Sequence, residues 1–271
     1  MAVFFYRTYA FALYIASDHP GEGPPEIGSK FFNSAIIYFL FLARLTRIMQ
    51  PQADPFIVPI CDEEIEILYQ DEYLLLINKP SGLLTLSGKH LLNKDSVHFR
   101  LVKEFPTATM IHRIDFGTSG ILIVAMNKEI NAHICKQFQL RTVVKTYTAM
   151  LHGHLVEDVG EIDIPIAKDR PNYPLQKICH ETGKRAVTNY QVVERLQEPF
   201  ATRVVFTPVS GRTHQLRIHS QAIGHPILAC ALYATDEACF MVKRLMLHAT
   251  RIEFDHPVTG ERVKGFSPCP F

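Results

Sequence analysis

The tightest constraint on this chain lies in residues 111–125, where His112-Arg113-Ile114-Asp115 runs through Phe116-Gly117-Thr118-Ser119-Gly120 into Ile121-Leu122-Ile123-Val124-Ala125. The final run is short, apolar and rich in β-branched residues, with Gly120 before it and Asn127-Lys128 after it, the pattern of a buried strand. Residues 117–120 read as the turn that holds Asp115 at the edge of a rigid sheet. Positive charge on Arg113 and His112 favours the ionised form of a neighbouring carboxylate. Asp115 is therefore a candidate nucleophile or base, against the plainer reading of a surface ion pair beside a turn.

The rest of the chain supplies partners for that strand. Residues 65–69 and 73–80 read as strands joined into a hairpin by Gln70-Asp71-Glu72. Residues 96–105 have a helical pattern, and residues 128–141 place Ile130, Ile134 and Phe138 on one stripe of a second helix, leaving Lys136 and Arg141 off it. Further strands are expected over 145–151, 160–167, 186–193 and 203–207, followed by a turn at Pro208-Val209-Ser210-Gly211 and a helix over 213–223 ended by Gly224. Residues 248–254 and 262–266 close the chain as a hairpin. Many strands with few helices and no regular alternation indicate an α+β domain on a mixed or antiparallel sheet. Lys168, Arg170, Lys177, Lys184 and Arg185 cluster in or near a polar loop with two prolines, placed to touch phosphates or simply solvated.

Several function classes can be set aside. The fragments His112-Arg113-Ile114-Asp115 and Asp115-Phe116-Gly117 look like two protein-kinase motifs but share one aspartate, and a kinase needs two separate acids. Residues 82–89 look superficially like a phosphate-binding loop, yet the glycine spacing is one residue too long and His90 stands where a magnesium-holding hydroxyl belongs. The six cysteines contain no Cys-x-x-Cys pair, which disfavours a zinc site and a disulfide framework and suits a reduced cytoplasm. His214 and His219 have no further ligand spaced with them and read as hydrogen-bonding histidines. A serine hydrolase using Ser119 and His112 lacks the nucleophile-elbow sequence.

The combination His-Arg-Ile-Asp, two residues, Thr-Ser-Gly and an apolar strand resembles the signature of the RluA family of pseudouridine synthases. The resemblance continues at Asn78-Lys79-Pro80-Ser81-Gly82, at Lys145-Thr146-Tyr147 and at Gly211-Arg212-Thr213-His214-Gln215-Leu216-Arg217-Ile218-His219, and spans roughly residues 66–271. It implies a long, bent, mixed and largely antiparallel sheet with flanking helices and a central catalytic cleft. It further implies conversion of uridine to pseudouridine, without cofactor or metal, in stem-loops of large-subunit ribosomal RNA and the anticodon arms of transfer RNA. Asp115 corresponds to the essential carboxylate, Tyr147 to the tyrosine that packs on the flipped uracil and assists proton removal, and Arg217 to the basic residue that orients the carboxylate. Arg113 corresponds to the residue that enters the gap left by the base. His112, Thr118, Ser119, Lys145, Arg212, Thr213, His214 and Gln215 are carried over as substrate-binding positions. The family's usual Leu-Gly-Asp is Leu228-Ala229-Cys230 here, which prompts a competing reading as an RNA-binding or RNA-folding protein with impaired catalysis.

Of 28 basic and 27 acidic side chains, four basic (Arg7, Lys30, Arg44, Arg47) and three acidic (Asp18, Glu22, Glu26) precede residue 49, leaving 24 of each beyond it. An RNA enzyme with that balance must concentrate its positive charge on one face. Residues 1–48 read as an apolar extension with no function, translation starting at Met49. Residues 31–43 fall short of the roughly 20 apolar residues of a spanning helix, and no membrane partner is expected. Residues 49–271 are expected to form one catalytic domain, acting as a cytoplasmic monomer on structured RNA.

Overall fold

The computed structural model describes residues 56–271; the expectations for residues 1–48 and for a start at Met49 lie outside the described residues. In chain order the elements are β1 (Glu66–Gln70), β2 (Leu74–Lys79), α1 (Val97–Leu101), β3 (Thr109–Met110), β4 (Ser119–Ala125), α2 (Lys128–Leu140), β5 (Val144–His152) and β6 (Val159–Asp163). Then follow β7 (Ile166–Lys168), β8 (Gln176–Ile178), β9 (Val187–Leu196), β10 (Ala201–Pro208), α3 (Gln215–Ala222), α4 (Asp236–Phe240), β11 (Leu247–Asp255) and β12 (Arg262–Phe266).

Strand β4 is buried at every position, as its unbroken apolar run requires. A ten-stranded sheet runs β1-β2-β4-β11-β5-β10-β9-β6, with β3 added to β4 and β12 to β11. Every named pair within it is antiparallel except β4 with β11, which run parallel through His248 opposite Ser119 and Ala249 opposite Gly120. The α+β, mixed and largely antiparallel expectation is met. At the parallel contact the strands approach so closely that a Cβ on Gly120 would lie 2.3 Å from the Ala249 carbonyl oxygen, and Gly120 has φ +113°. Only glycine fits both the space and the backbone there.

Two apolar clusters flank this junction. One gathers β2, β4 and α2 through Leu75, Ile123 and Ile134; the other gathers β5, β10 and α3 through Leu151, Phe206 and Ile218. Tyr147 packs against both, which puts it at the middle of the sheet.

Several boundaries differ from the sequence reading. The strand expected over 160–167 is broken into β6 and β7, because Pro165 has no N–H to give a ladder. The helix expected from Thr213 starts at Gln215, since His214 takes a left-handed backbone with φ 56°. Strand β4 begins at Ser119, so the preceding turn is the tighter one closed by Thr118 N–H donating to Asp115 O at 3.1 Å. The short hairpin partner β8 was not anticipated. No helix among the described residues is long and apolar enough to cross a membrane.

Candidate active site

A pocket at the centre of the sheet is lined by Asp115, Thr118, Lys145, Tyr147, His214 and Arg217, together with the residues around them. Three separate stretches thus converge: the turn before β4, the start of β5, and the loop entering α3.

The turn is fixed from behind by the Lys79-Pro80-Ser81-Gly82 block. Lys79 is fully buried, and its Nζ donates to the carbonyls of Pro80 (2.8 Å), Leu83 (2.7 Å) and Phe116 (3.2 Å). Burial pushes its pKa down to about 7, opposed by Cys61 and Asp115. Ser81 Oγ donates to Gly117 O at 2.7 Å, Gly82 N–H to Phe116 O at 3.0 Å and Thr85 Oγ1 to Ile114 O at 2.8 Å. The backbone on both sides of Asp115 is thereby tied to a second segment, leaving its carboxylate free to face the pocket.

That carboxylate is held by Arg217, whose Nη1 lies 3.2 Å from Oδ2; the Nε2 of His214 is 3.9 Å from the same oxygen. Arg217 is itself almost enclosed. Its Nε donates to Cys230 Sγ at 3.2 Å, and its guanidinium lies 5.3 Å from the centre of the Tyr233 ring. Burial works against its charge, but Cys230 and Asp115 more than offset this, and its pKa is raised. His214 Nδ1 and Tyr233 Oη are 2.7 Å apart. Burial, opposed by Asp115 and reinforced by Arg217 and Arg113, lowers the His214 pKa.

Across the pocket, burial and then the Asp115 carboxylate raise the Tyr147 pKa well above the ordinary phenol range. The hydroxyl therefore stays protonated at neutral pH and is poorly suited to accept a proton. Lys145 lies two residues earlier on the same strand, so both side chains project from one face about 7 Å apart. Its Nζ is 6.0 Å from the centre of the Phe138 ring, and burial lowers its pKa. Thr118 is buried, and its Oγ1 has no hydrogen-bond partner among the described residues.

Other sequence candidates sit differently. Arg113 is exposed at the mouth. His112 lines the pocket, but its Nε2 accepts from Ile123 N–H at 3.0 Å, and burial followed by the Lys145 charge brings its pKa to about 3. It is a neutral ring bracing β4, not a positive neighbour of Asp115; that part of the sequence reading is corrected, with Arg217 supplying the positive charge. Gln215 is fully engaged, donating to Val187 O and Thr188 Oγ1 at 2.9 Å each and accepting from Ser210 Oγ at 2.8 Å and Arg212 N–H at 3.0 Å. It shapes the loop and has no donor left for a substrate. Arg212 stands at the pocket wall with Nε 3.2 Å from Arg185 O, whereas Thr213 does not line the pocket.

Ser119 points away from Asp115. It is buried, 2.8 Å from His248 Nδ1, and receives Arg244 Nη2 at 2.5 Å. His248 Nε2 lies 3.1 Å from a backbone carbonyl, that of Ser267, so no carboxylate completes a triad. Its assignment to substrate binding is corrected to a structural one, and a Ser119-His112 hydrolase is excluded because those two side chains serve different partners. His219, between Thr188 Oγ1 (2.9 Å) and Ile164 O (3.0 Å), is the satisfied core histidine expected.

Sequence reasoning missed Cys230 and Tyr233 as supports of Arg217 and His214. Both lie in the stretch singled out for departing from the family pattern, but their contacts depend on tertiary packing. Ala229 occupies a left-handed backbone with φ 53°, the conformation for which a glycine is the ordinary choice. The Ala229-Cys230 exchange thus changes a turn and the rear support of Arg217, and removes no group from the pocket wall.

Residues 73–222 match the family model described as RNA pseudouridylate synthase. The chain is 48% identical over 194 residues to the dual-specificity RNA pseudouridine synthase RluA of Yersinia pestis, covering 72% of this chain and 94% of that one. Against the protein of the same description from Escherichia coli (strain K12) it is 42% identical over 221 residues, covering 82% and 97%. The solved structure of human RNA pseudouridylate synthase domain containing 1 superposes with a TM-score of 0.66 at 30% identity, covering 79% of this chain and 86% of that one.

Proposed function

The chain belongs to the RNA pseudouridylate synthase family, and on that premise we propose that it isomerises uridine in stem-loops of both large-subunit ribosomal RNA and transfer RNA anticodon arms, with Asp115 as the catalytic carboxylate. That it is a pseudouridine synthase acting on RNA follows from its family. The two substrate classes are our reading of the dual specificity named for its relatives. The observation carrying the assignment of Asp115 is its position in the pocket, paired with Arg217 and facing the side of β5 that bears Tyr147.

The reaction breaks the bond between C1′ of the ribose and N1 of uracil and joins C1′ to C5, whose proton then leaves for solvent or a base while N1 takes up a proton in its place. All the other atoms are retained, so the isomerisation needs no redox partner. A base inside a stacked stem is out of reach, and the uridine must turn out into the pocket. Asp115 then attacks the sugar or first removes a proton from it; carboxylates serve in either role. Arg217 keeps the carboxylate in place and balances its charge. Tyr147 offers an aromatic face to the uracil, and its raised pKa favours this packing role over that of a base. Arg113, exposed and planar, fills the space the base has left. Thr118 Oγ1 and Lys145 Nζ are donors not engaged within the protein among the described residues, and we assign them to the bound nucleotide.

The enzyme is read as a cytoplasmic monomer. The test is tritium release from stem-loops labelled at C5 of uracil, together with pseudouridine maps of RNA from cells with and without the gene. Loss of specific sites in both RNA classes on deletion is expected. Release with purified protein but unchanged maps would defeat the substrate assignment.

A further inference from the structure

The proton that leaves C5 of uracil needs an acceptor within hydrogen-bond reach of that carbon. C5 has just bonded to C1′, where Asp115 acts, so the acceptor must stand beside the Asp115 carboxylate. The pocket wall offers few groups that qualify. Tyr147 keeps its phenolic proton, and Lys145 and Arg217 present donors only. The neutral His112 ring accepts from Ile123 N–H through Nε2, so Nδ1 carries its proton and no lone pair remains. His214 is left, a pocket residue whose Nε2 lies 3.9 Å from Asp115 Oδ2.

Backbone and neighbours together aim this ring. His214 has φ 56°, a left-handed conformation uncommon for residues other than glycine and concentrated at active sites. Its carbonyl accepts Ile218 N–H at 3.0 Å in the first turn of α3. Nδ1 stands 2.7 Å from Tyr233 Oη, to which Gln176 N–H donates at 2.9 Å. One lone pair of that oxygen is thus taken and the other remains for Nδ1–H, the tautomer that turns a bare Nε2 toward the pocket. The two rings meet edge to face, with centres 5.5 Å apart and planes at 72°, which fixes the plane of the imidazole.

We infer that His214 is the base that takes the C5 proton at Nε2, and that Tyr233 is the positioning residue that holds its Nδ1–H. The electron pair of the C5–H bond closes the C5–C6 double bond, the C6–N1 π pair moves to N1, and N1 takes a proton from water. The imidazolium then passes its proton to solvent, which restores the resting enzyme. Asp115 is free of the sugar by this stage, and its carboxylate faces the new Nε2–H and stabilises it. Before that, burial, opposed by Asp115 and reinforced by Arg217 and Arg113, favours the neutral ring that a base requires. The inference rests on the reading of Asp115 as the catalytic carboxylate, and adds the group that completes the isomerisation.

The test uses His214→Gly, because glycine adopts this backbone without strain and leaves a gap the size of the lost ring. Turnover of the folded variant should fall about a hundredfold or more with KM nearly unchanged, and imidazole added in solution should restore part of it. Single-turnover rates on stem-loops carrying hydrogen or deuterium at C5 should diverge more for the variant than for the natural protein, since removal of that proton becomes the slow step. Tyr233→Phe should lower kcat by about tenfold, the worth of one hydrogen bond, and enlarge the isotope effect in the same direction. His214→Asn, which tolerates the left-handed backbone, carries the same measurements if the glycine variant melts early. An isotope effect no larger than that of the natural protein would overturn the inference whatever the fall in kcat, as would undiminished turnover. Turnover by Asp115→Asn would instead defeat the reading of Asp115, and the isotope comparison at His214 is independent of that result.

Discussion

Arg217 holds Asp115 with one end of its guanidinium, Nη1 standing 3.2 Å from Oδ2, and spends its Nε on Cys230 Sγ at the same distance. A planar fork serves two acceptors at once; a lysine ammonium at the end of a flexible stem cannot reproduce that geometry. Arg217→Lys should therefore lower turnover by about tenfold to a hundredfold, the worth of one charged hydrogen bond, with little change in RNA affinity. Cys230→Ala removes only a weak acceptor and should cost less than Arg217→Lys. Single-turnover rates on one labelled stem-loop give the ranking, and a larger loss for Cys230→Ala would reverse the proposed order of support.

Lys79 secures the turn at Asp115 through three carbonyls. Lys79→Met fills similar space but leaves acceptors of Pro80 and Leu83 unserved, a loss of about 2–4 kcal/mol at roughly 1–3 per orphaned group, less the charge burial it relieves. The pH dependence has a definite sign. Lys79 has a pKa of about 7 when folded and about 10.4 when unfolded. Between these values the unfolded chain binds the proton that the folded chain gives up, so stability rises with pH across that window. The gap in melting temperature between the natural protein and Lys79→Met should widen from pH 7 toward pH 10, and a gap that narrowed would contradict the assignment.

Ser119 makes a separate prediction because its neighbourhood superficially resembles a hydrolase. The hydroxyl is buried between His248 and Arg244, so a fluorophosphonate should leave it unlabelled. Ser119→Ala strands the hydrogen-bonding groups of both neighbours and should destabilise the fold by about 1–3 kcal/mol, while the folded fraction keeps most of its turnover. Melting curves and tritium release on one preparation separate the two effects.

These cases mark what the sequence could reveal. Strand β4 was legible because its apolar run admits little else, and the ordered blocks around Asp115, Tyr147 and Arg217 announced a shared pocket through their resemblance to a family. Direction was harder to read. His112 and Ser119 flank Asp115 in sequence but turn inward to Ile123 and His248, and nothing local distinguishes an inward histidine from an outward one. Cys230 lies 13 residues beyond Arg217 in the chain, and its contact exists only once α3 has packed against the following loop. The left-handed backbone at His214 was likewise invisible, because the sequence from Thr213 to Ile223 carries a helical pattern up to its first residue.

The decisive prediction concerns Asp115 itself. Asp115→Asn keeps the size of the side chain and an oxygen facing Arg217 Nη1, but loses the negative charge and nearly all nucleophilicity. The turn is held by bonds to its backbone carbonyls from Thr118 N–H, Gly82 N–H and Ser81 Oγ that do not involve the carboxylate, so the fold should survive with a melting temperature close to that of the natural protein. RNA affinity should be unchanged or slightly higher, since a negative charge is removed from a pocket that receives a phosphodiester chain. Turnover should vanish. Were Asp115 only the acidic half of an ion pair with the enclosed Arg217, its loss would show chiefly as lowered stability and leave the reaction slowed but present. Melting temperature, stem-loop binding at fixed salt and tritium release, measured on a single preparation, distinguish these outcomes, and substantial release by a folded Asn variant would remove Asp115 from the centre of the chemistry.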